Sequence, residues 1–288
     1  MTLAEFVLAL MWGGVTAYAV FAGADFGAGF WDLTAGDATR GRPRRELIAH
    51  SIAPVWEANH VWLIYVLVVL WTGFPRVFAA IMSTLYIPLT AAAAGVIMRG
   101  SAFAFRKAAT DVALERAFGA TFAASSVITP FFLGTVAGGV ATTRVPFGNA
   151  TGDAISSWFN PTSVFGGVLA VVTCAFLAAV FLCVDASHRA PDLVDGFRRR
   201  AIAAGALCGV LAIAGVAIVH ADAPDLYHGL THRGLPLVIA SAVAGVATLL
   251  LLRARRFVIA RATAAVAVVA IVWGWAAGQY PYMLEGSV

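Results

Sequence analysis

Charge is what this sequence has least of. Only 12% of its 288 residues are Asp, Glu, Lys or Arg, about half the share carried by a soluble domain, while 61% are hydrophobic. So few charges cannot cover a water-facing surface, which excludes a soluble fold and points to a chain crossing a membrane several times. Apolar/polar alternation is missing as well. Runs such as Ala201–Val219 are apolar throughout, which excludes a β-barrel. The three cysteines, Cys174, Cys183 and Cys208, lie in apolar runs without metal-ligand spacing and read as small core residues. The opening MTLAEFVLALMWGG lacks the basic n-region of a secretory signal and runs straight into a full span, so it reads as a retained helix. There is no phosphate loop, nucleophile elbow, metalloprotease helix or dinucleotide fingerprint. Nothing here makes an enzyme alone, and no catalytic residue is assigned to the chain.

What the sequence does have is a succession of long apolar runs. They predict an all-α, polytopic fold with eight transmembrane helices, at Ala4–Ala24, Val55–Phe74, Val77–Met98, Phe118–Val140, Ser163–Val184, Ala201–Val219, Leu235–Leu252 and Val258–Gly278. Pro75 stops the second span, Pro130 predicts a kink in the fourth, and His220–Gly234 reads as a polar loop. Each half holds four spans and carries a carboxylate, Asp25 or Asp185, near the end of its first. The chain is therefore expected to be one transmembrane domain of two four-helix units, residues 1–140 and 141–288. Most tryptophans fall near span ends, as an interfacial belt would.

The net charge of +4 does not indicate nucleic-acid binding, because the basic residues fall in short loops. Sixteen of the nineteen lie on one side, four in each of four loops: Arg40, Arg42, Arg44 and Arg45; Arg99, Arg106, Lys107 and Arg116; Arg189 and Arg198 to Arg200; Arg253, Arg255, Arg256 and Arg261. Only Arg76, Arg144 and Arg233 lie on the other. Basic loops stay in the cytoplasm, so both termini are expected outside, with Asp25 and the start of the second span on the cytoplasmic side.

Chemistry concentrates in SIAPVWEANHVWLI, Ser51–Ile64, where Trp56, Glu57, Asn59, His60 and Trp62 fall within about two helical turns. Ionisable groups at such depth are costly and mark ion or proton routes. Glu57 is either a buried carboxylate paired with a neighbour or a proton relay, with His60 one turn away as its partner. Asp25, in GADFGAGFW beside glycines that permit close helix approach, is either a local cap or part of the same path. Asp185 reads as interfacial. A lone deep histidine is not the facing pair that a bis-ligated haem needs. His220, His228 and His232, with Asp222 and Asp225, read as a hydrated loop more readily than as a zinc site.

Three motifs carry a resemblance: Asp25-Phe26-Gly27-Ala28-Gly29, Ser51–Ile64, and Leu70-Trp71-Thr72-Gly73-Phe74-Pro75. Together they resemble the "DFGxG", "SIAPxWExNxVWLI" and "LWxxFP" of subunit II of the cytochrome bd-type quinol oxidases. The hydropathy agrees as far as Pro281-Tyr282. The resemblance implies a plasma-membrane terminal oxidase that oxidises quinol and reduces oxygen to water. Subunit I is the implied partner, carrying haems b and d and the quinol site, and this chain ligates neither haem nor metal. Small accessory membrane subunits, lipid and quinone are further implied partners. The position matching Glu57 lies on a cytoplasmic proton path, with Asp25 a second acidic position nearby. Trp56, Asn59 and Trp62 support it, and His60 is a candidate partner. The family usually has nine spans against eight here. The other classes compatible with the residues are a cation-coupled secondary transporter using Asp25 and Glu57, and a purely structural membrane subunit.

Overall fold

The first helix starts where a capping box sets it. Glu5 N donates to Thr2 Oγ1 at 3.2 Å and Thr2 N to Glu5 Oε2 at 2.7 Å, which satisfies two donors that a helix N-terminus leaves open. The computed structural model describes residues 2–36, 39–52, 56–106 and 112–284, without the side chains of Trp56, Glu57, Arg106, Val112, Ala113 and Glu115. These residues form eleven α-helices and no strand. The helices are α1 (Leu3–Leu33), α2 (Arg42–Ile52), α3 (Trp56–Gly73), α4 (Pro75–Thr84), α5 (Tyr86–Arg106) and α6 (Val112–Ala141). After a loop come α7 (Pro161–Arg189), α8 (Val194–Asp222), α9 (Pro224–Thr231), α10 (Leu235–Arg253) and α11 (Phe257–Gln279).

Seven of these are long and apolar enough to cross a membrane, and α3 with α4 brings the number to eight. The all-α expectation therefore holds, and the eight expected spans correspond to seven such helices, or eight where the bent α3–α4 pair is counted as one, with corrections to their bounds. The first span does not end at Ala24 but runs on to Leu33, so Asp25 lies inside α1 and is no cap. The third span does not start at Val77. Pro75 has no N–H to continue α3 and takes the first position of a new helix, turned by 118°. That ten-residue α4 precedes the true third span, which begins at Tyr86. α6 passes through Pro130 as one helix. The loops around Arg42 to Arg45 and His220 to Gly234 hold α2 and α9.

α7 is the axis of the core. It packs on α1, α6, α8 and α11, and its Leu177, Ala179, Val180 and Cys183 are completely buried. Gly27 lets α1 reach it, since a Cβ there would fall on the Cys174 carbonyl. Two tryptophans point inward: Trp12 Nε1 donates to Val272 O at 3.2 Å and Trp31 Nε1 to Ala175 O at 2.8 Å. The outer faces of α8 and α10 expose Val210, Ile213, Val243 and Leu250, as lipid-facing helices do.

Candidate functional site

Asp25 sits about two turns inside the C-terminal end of α1 and is almost fully buried. Its partner is Arg99 of α5, equally buried. Arg99 Nη2 donates to Asp25 Oδ1 at 2.6 Å and to the Asp25 backbone carbonyl at 2.9 Å. Arg99 Nη1 donates to Ser126 Oγ of α6. The guanidinium also lies over two rings, 4.2 Å from the Phe122 centroid and 5.0 Å from that of Phe26, an arrangement that stabilises a desolvated cation. Three helices are thus joined by one arginine. Losing one partner of such a buried pair costs about 3–5 kcal/mol, because the other charge is left uncompensated.

Gly29 makes room for this arrangement: a Cβ there would overlap Ser126 Oγ and Arg99 Nη1. Among the described residues Asp25 Oδ2 and the Tyr18 hydroxyl find no hydrogen-bond partner. Tyr18 packs with Ala22, Phe26 and Cys174 around the same turn of α1.

α3 brings the described end of the motif, from Ala58 on, against this part of α1. Asn59 is buried and its Nδ2 donates to Phe21 O at 3.3 Å. The His60 ring meets Phe26 edge-on, with centroids 6.2 Å apart. Phe26 therefore touches both the imidazole and the guanidinium that holds Asp25. Trp62 faces outward against Tyr65. Glu57 and Trp56 begin α3, but their side chains lie outside the described residues. Of the expected residues the structure gathers Asp25, Asn59 and His60.

Arg99 corrects the sequence reading, which placed it in a loop. It lies inside α5, and removing it from the basic loops leaves their imbalance intact. Its signal was legible: the apolar run continues past it through Ala102-Phe103-Ala104-Phe105, so Arg99 interrupts a span. Ser126, Phe122 and Tyr18 carried no such signal.

The other end of the bundle holds a second ion pair. Asp222 ends α8 and receives Arg144 Nη2 on Oδ1 at 2.6 Å and Nη1 on Oδ2 at 3.0 Å. Oδ2 also accepts Thr162 N at 3.0 Å, at the start of α7. His220 stacks edge-on with Tyr227 at 4.7 Å, and the rings of His228 and His232 lie 3.9 Å apart on α9 and its cap. Asp185 is half-buried in α7.

The family model described as cytochrome bd terminal oxidase subunit II matches residues 3–288. The chain is 28% identical over 191 residues to the cytochrome bd ubiquinol oxidase subunit 2 of Bacillus subtilis (strain 168), covering 61% of this chain and 54% of that protein. To the putative cytochrome bd menaquinol oxidase subunit II of the same organism it is 25% identical over 250 residues, 84% of this chain and 71% of the other. The match to the cytochrome bd-I ubiquinol oxidase subunit 2 of Escherichia coli (strain K12) is 30% over 130 residues, 45% of this chain and 33% of that one. The chain thus spans about half the length of the first of these relatives and a third of the last. Its fold matches a chain of the bd oxidase from Geobacillus thermodenitrificans with a TM-score of 0.82 at 24% identity, covering 100% of this chain and 90% of that one.

Proposed function

The chain belongs to the cytochrome bd terminal oxidase subunit II family, and from that premise we propose that it serves as the subunit without haem ligands in a bacterial quinol oxidase. Subunit I is the partner that carries haems b and d and takes the quinol. This chain has one histidine inside a span and away from its last turn, His60 in the second turn of α3. The others lie in helix last turns or in and beside the short α9: His50, His188, His220, His228 and His232. The complex reduces oxygen to water and draws the protons from the cytoplasm. This chain holds subunit I in place and lines one proton route with Glu57, Asp25 and His60, both termini facing outward.

The observation that carries this reading is the docking of α3 on α1. Asn59 bonds Phe21 O, and Phe26 links His60 to the Arg99–Asp25 pair. Asn59 and His60, which follow Glu57 in the motif, are thereby seated on the stretch of α1 that holds Asp25, a buried carboxylate with one oxygen unpartnered among the described residues. Carboxylates and imidazoles can change protonation where water is scarce, and a carboxamide cannot. In the purified complex, Glu57→Gln should keep the haems and slow oxygen uptake at least about tenfold, equivalent to roughly 1.4 kcal/mol on the limiting barrier. Glu57→Asp should retain more activity. Full haem content with wild-type turnover in the glutamine variant would remove Glu57 from the path.

The Arg99 pair favours a second reading for Asp25 alone, as an anchor that orders the helices beside the path. On that reading Asp25→Asn lowers haem content and assembly together and leaves the pH profile of the surviving complex unchanged.

A further inference from the structure

Three arginines converge on the C-terminal end of α1. Arg200 of α8 donates Nη2 to Thr34 O at 3.1 Å, Arg44 of α2 donates Nη1 to Ala35 O at 3.0 Å, and Arg45 donates Nη2 to Gly36 O at 2.6 Å. Cations at a helix C-terminus satisfy its last carbonyls, so part of the cluster is capping. The charge balance is not explained that way. Asp32 stands 3.9 Å from Arg45, and Arg42 bonds Glu46 at 2.8 Å on the exposed side of α2. Among the described residues Arg44 and Arg200 have no ion pair, and the carbonyls they hold, Ala35 O and Thr34 O, are adjacent in the chain. Their guanidiniums are bound to neighbouring carbonyls, so two cations without a counter-charge are held at one helix end.

Arg200 adds an independent observation. Its Nη1 is buried and has no hydrogen-bond partner among the described residues. The guanidinium is held in place by Trp31 and Phe197, 5.3 and 5.5 Å from the ring centroids. A fixed fork with a spare N–H, and a second fork without an ion pair on the next carbonyl of the chain, suit the tetrahedral oxygens of a phosphate. Leu33, exposed at the same helix end, offers apolar surface next to it, and basic pockets between helices at a membrane surface take phospholipid headgroups.

We propose that Arg44 and Arg200 form a phosphate-binding site, and that the phosphate is the phosphodiester of an anionic lipid. The site holds that lipid against the junction of α1, α2 and α8.

The test uses the full chain purified with its natural partners and stripped of lipid in detergent. Native mass spectrometry follows titration with dioleoylphosphatidylglycerol, with dioleoylglycerol, which has the same chains and no phosphate, and with inorganic phosphate. One dioleoylphosphatidylglycerol should bind per chain, and the double variant Arg44→Gln/Arg200→Gln should bind it at least about tenfold more weakly. Dioleoylglycerol should not distinguish the two proteins. If only inorganic phosphate shows the arginine dependence, the site stands and its source is a free anion. Equal binding of both phosphate compounds to wild type and double variant overturns the proposal. Should the double variant fail to assemble, Arg44→Gln alone carries the test, because it leaves the Arg200–Thr34 bond in place. Arg42→Gln is the control.

Discussion

Arg99 grips Asp25 twice, by its carboxylate at 2.6 Å and by its main-chain carbonyl at 2.9 Å, across 74 residues of sequence. A single side chain of α5 therefore sets both the position and the charge environment of the most buried acid on α1. Desolvating two ions is compensated only when the geometry satisfies them, and here Ser126, Phe26 and Phe122 complete the shell around the cation.

It follows that Arg99→Met should destabilise the chain by about 3–5 kcal/mol, because Asp25 would be left as a lone buried charge. Arg99→Lys should cost less but still lose the Ser126 bond, since an ammonium has no fork. In a double-mutant cycle with Asp25→Asn, thermal unfolding in detergent should show strong coupling between the two positions. Additive effects would mean that the pair does not hold the helices.

Gly29 should tolerate nothing larger. Gly29→Ala places a methyl onto Ser126 Oγ and Arg99 Nη1 and should cost about 1–3 kcal/mol. Gly13→Ala is the matched control in the same helix: nothing lies within 4 Å of its Cβ position. It should be neutral or stabilising by up to about 1 kcal/mol, through the lower backbone entropy of alanine. Equal melting temperatures for the two variants would contradict the packing described.

At the opposite end, Asp222→Ala should cost more than Asp222→Asn. The amide can still accept the Thr162 N–H, while alanine leaves both that donor and Arg144 without a partner. Arg144 is about a third exposed (34%), so solvent screens the pair and roughly 1–2 kcal/mol is expected for the alanine. Faster hydrogen exchange in the first turn of α7 is the local readout.

Orientation is open to direct measurement. A reporter active only outside the cytoplasm should work when inserted at Asn149 or after Arg233, and stay silent between Arg40 and Arg42. The reverse pattern would place Glu57 and the arginine cluster on the outer side.

Much of the candidate site was readable before the fold was known. The SIAPVWEANHVWLI stretch stood out because it puts Glu57, Asn59 and His60 into an apolar run, and α3 does bring Asn59 and His60 onto α1. Arg99 was misplaced for a physical reason. Sorting basic residues into loops assumes that charge ends a span, and that fails when an opposite charge on another helix compensates it. The α9 helix was missed because its eight residues are too few to show a period.

The sequence by itself determined the all-α class, the succession of long apolar helices and the family, because each rests on local hydropathy or on contiguous motifs. It also determined the break at Pro75, since a proline cannot donate to the preceding turn. Only the tertiary structure decided that α4 turns by 118°, that Asp25 lies within α1, and that Arg99 and Ser126 meet it there. It alone revealed that Arg44 and Arg200 share one helix end. The environment of a buried charge is made by residues far away in the chain, so no local pattern can encode which partner it finds.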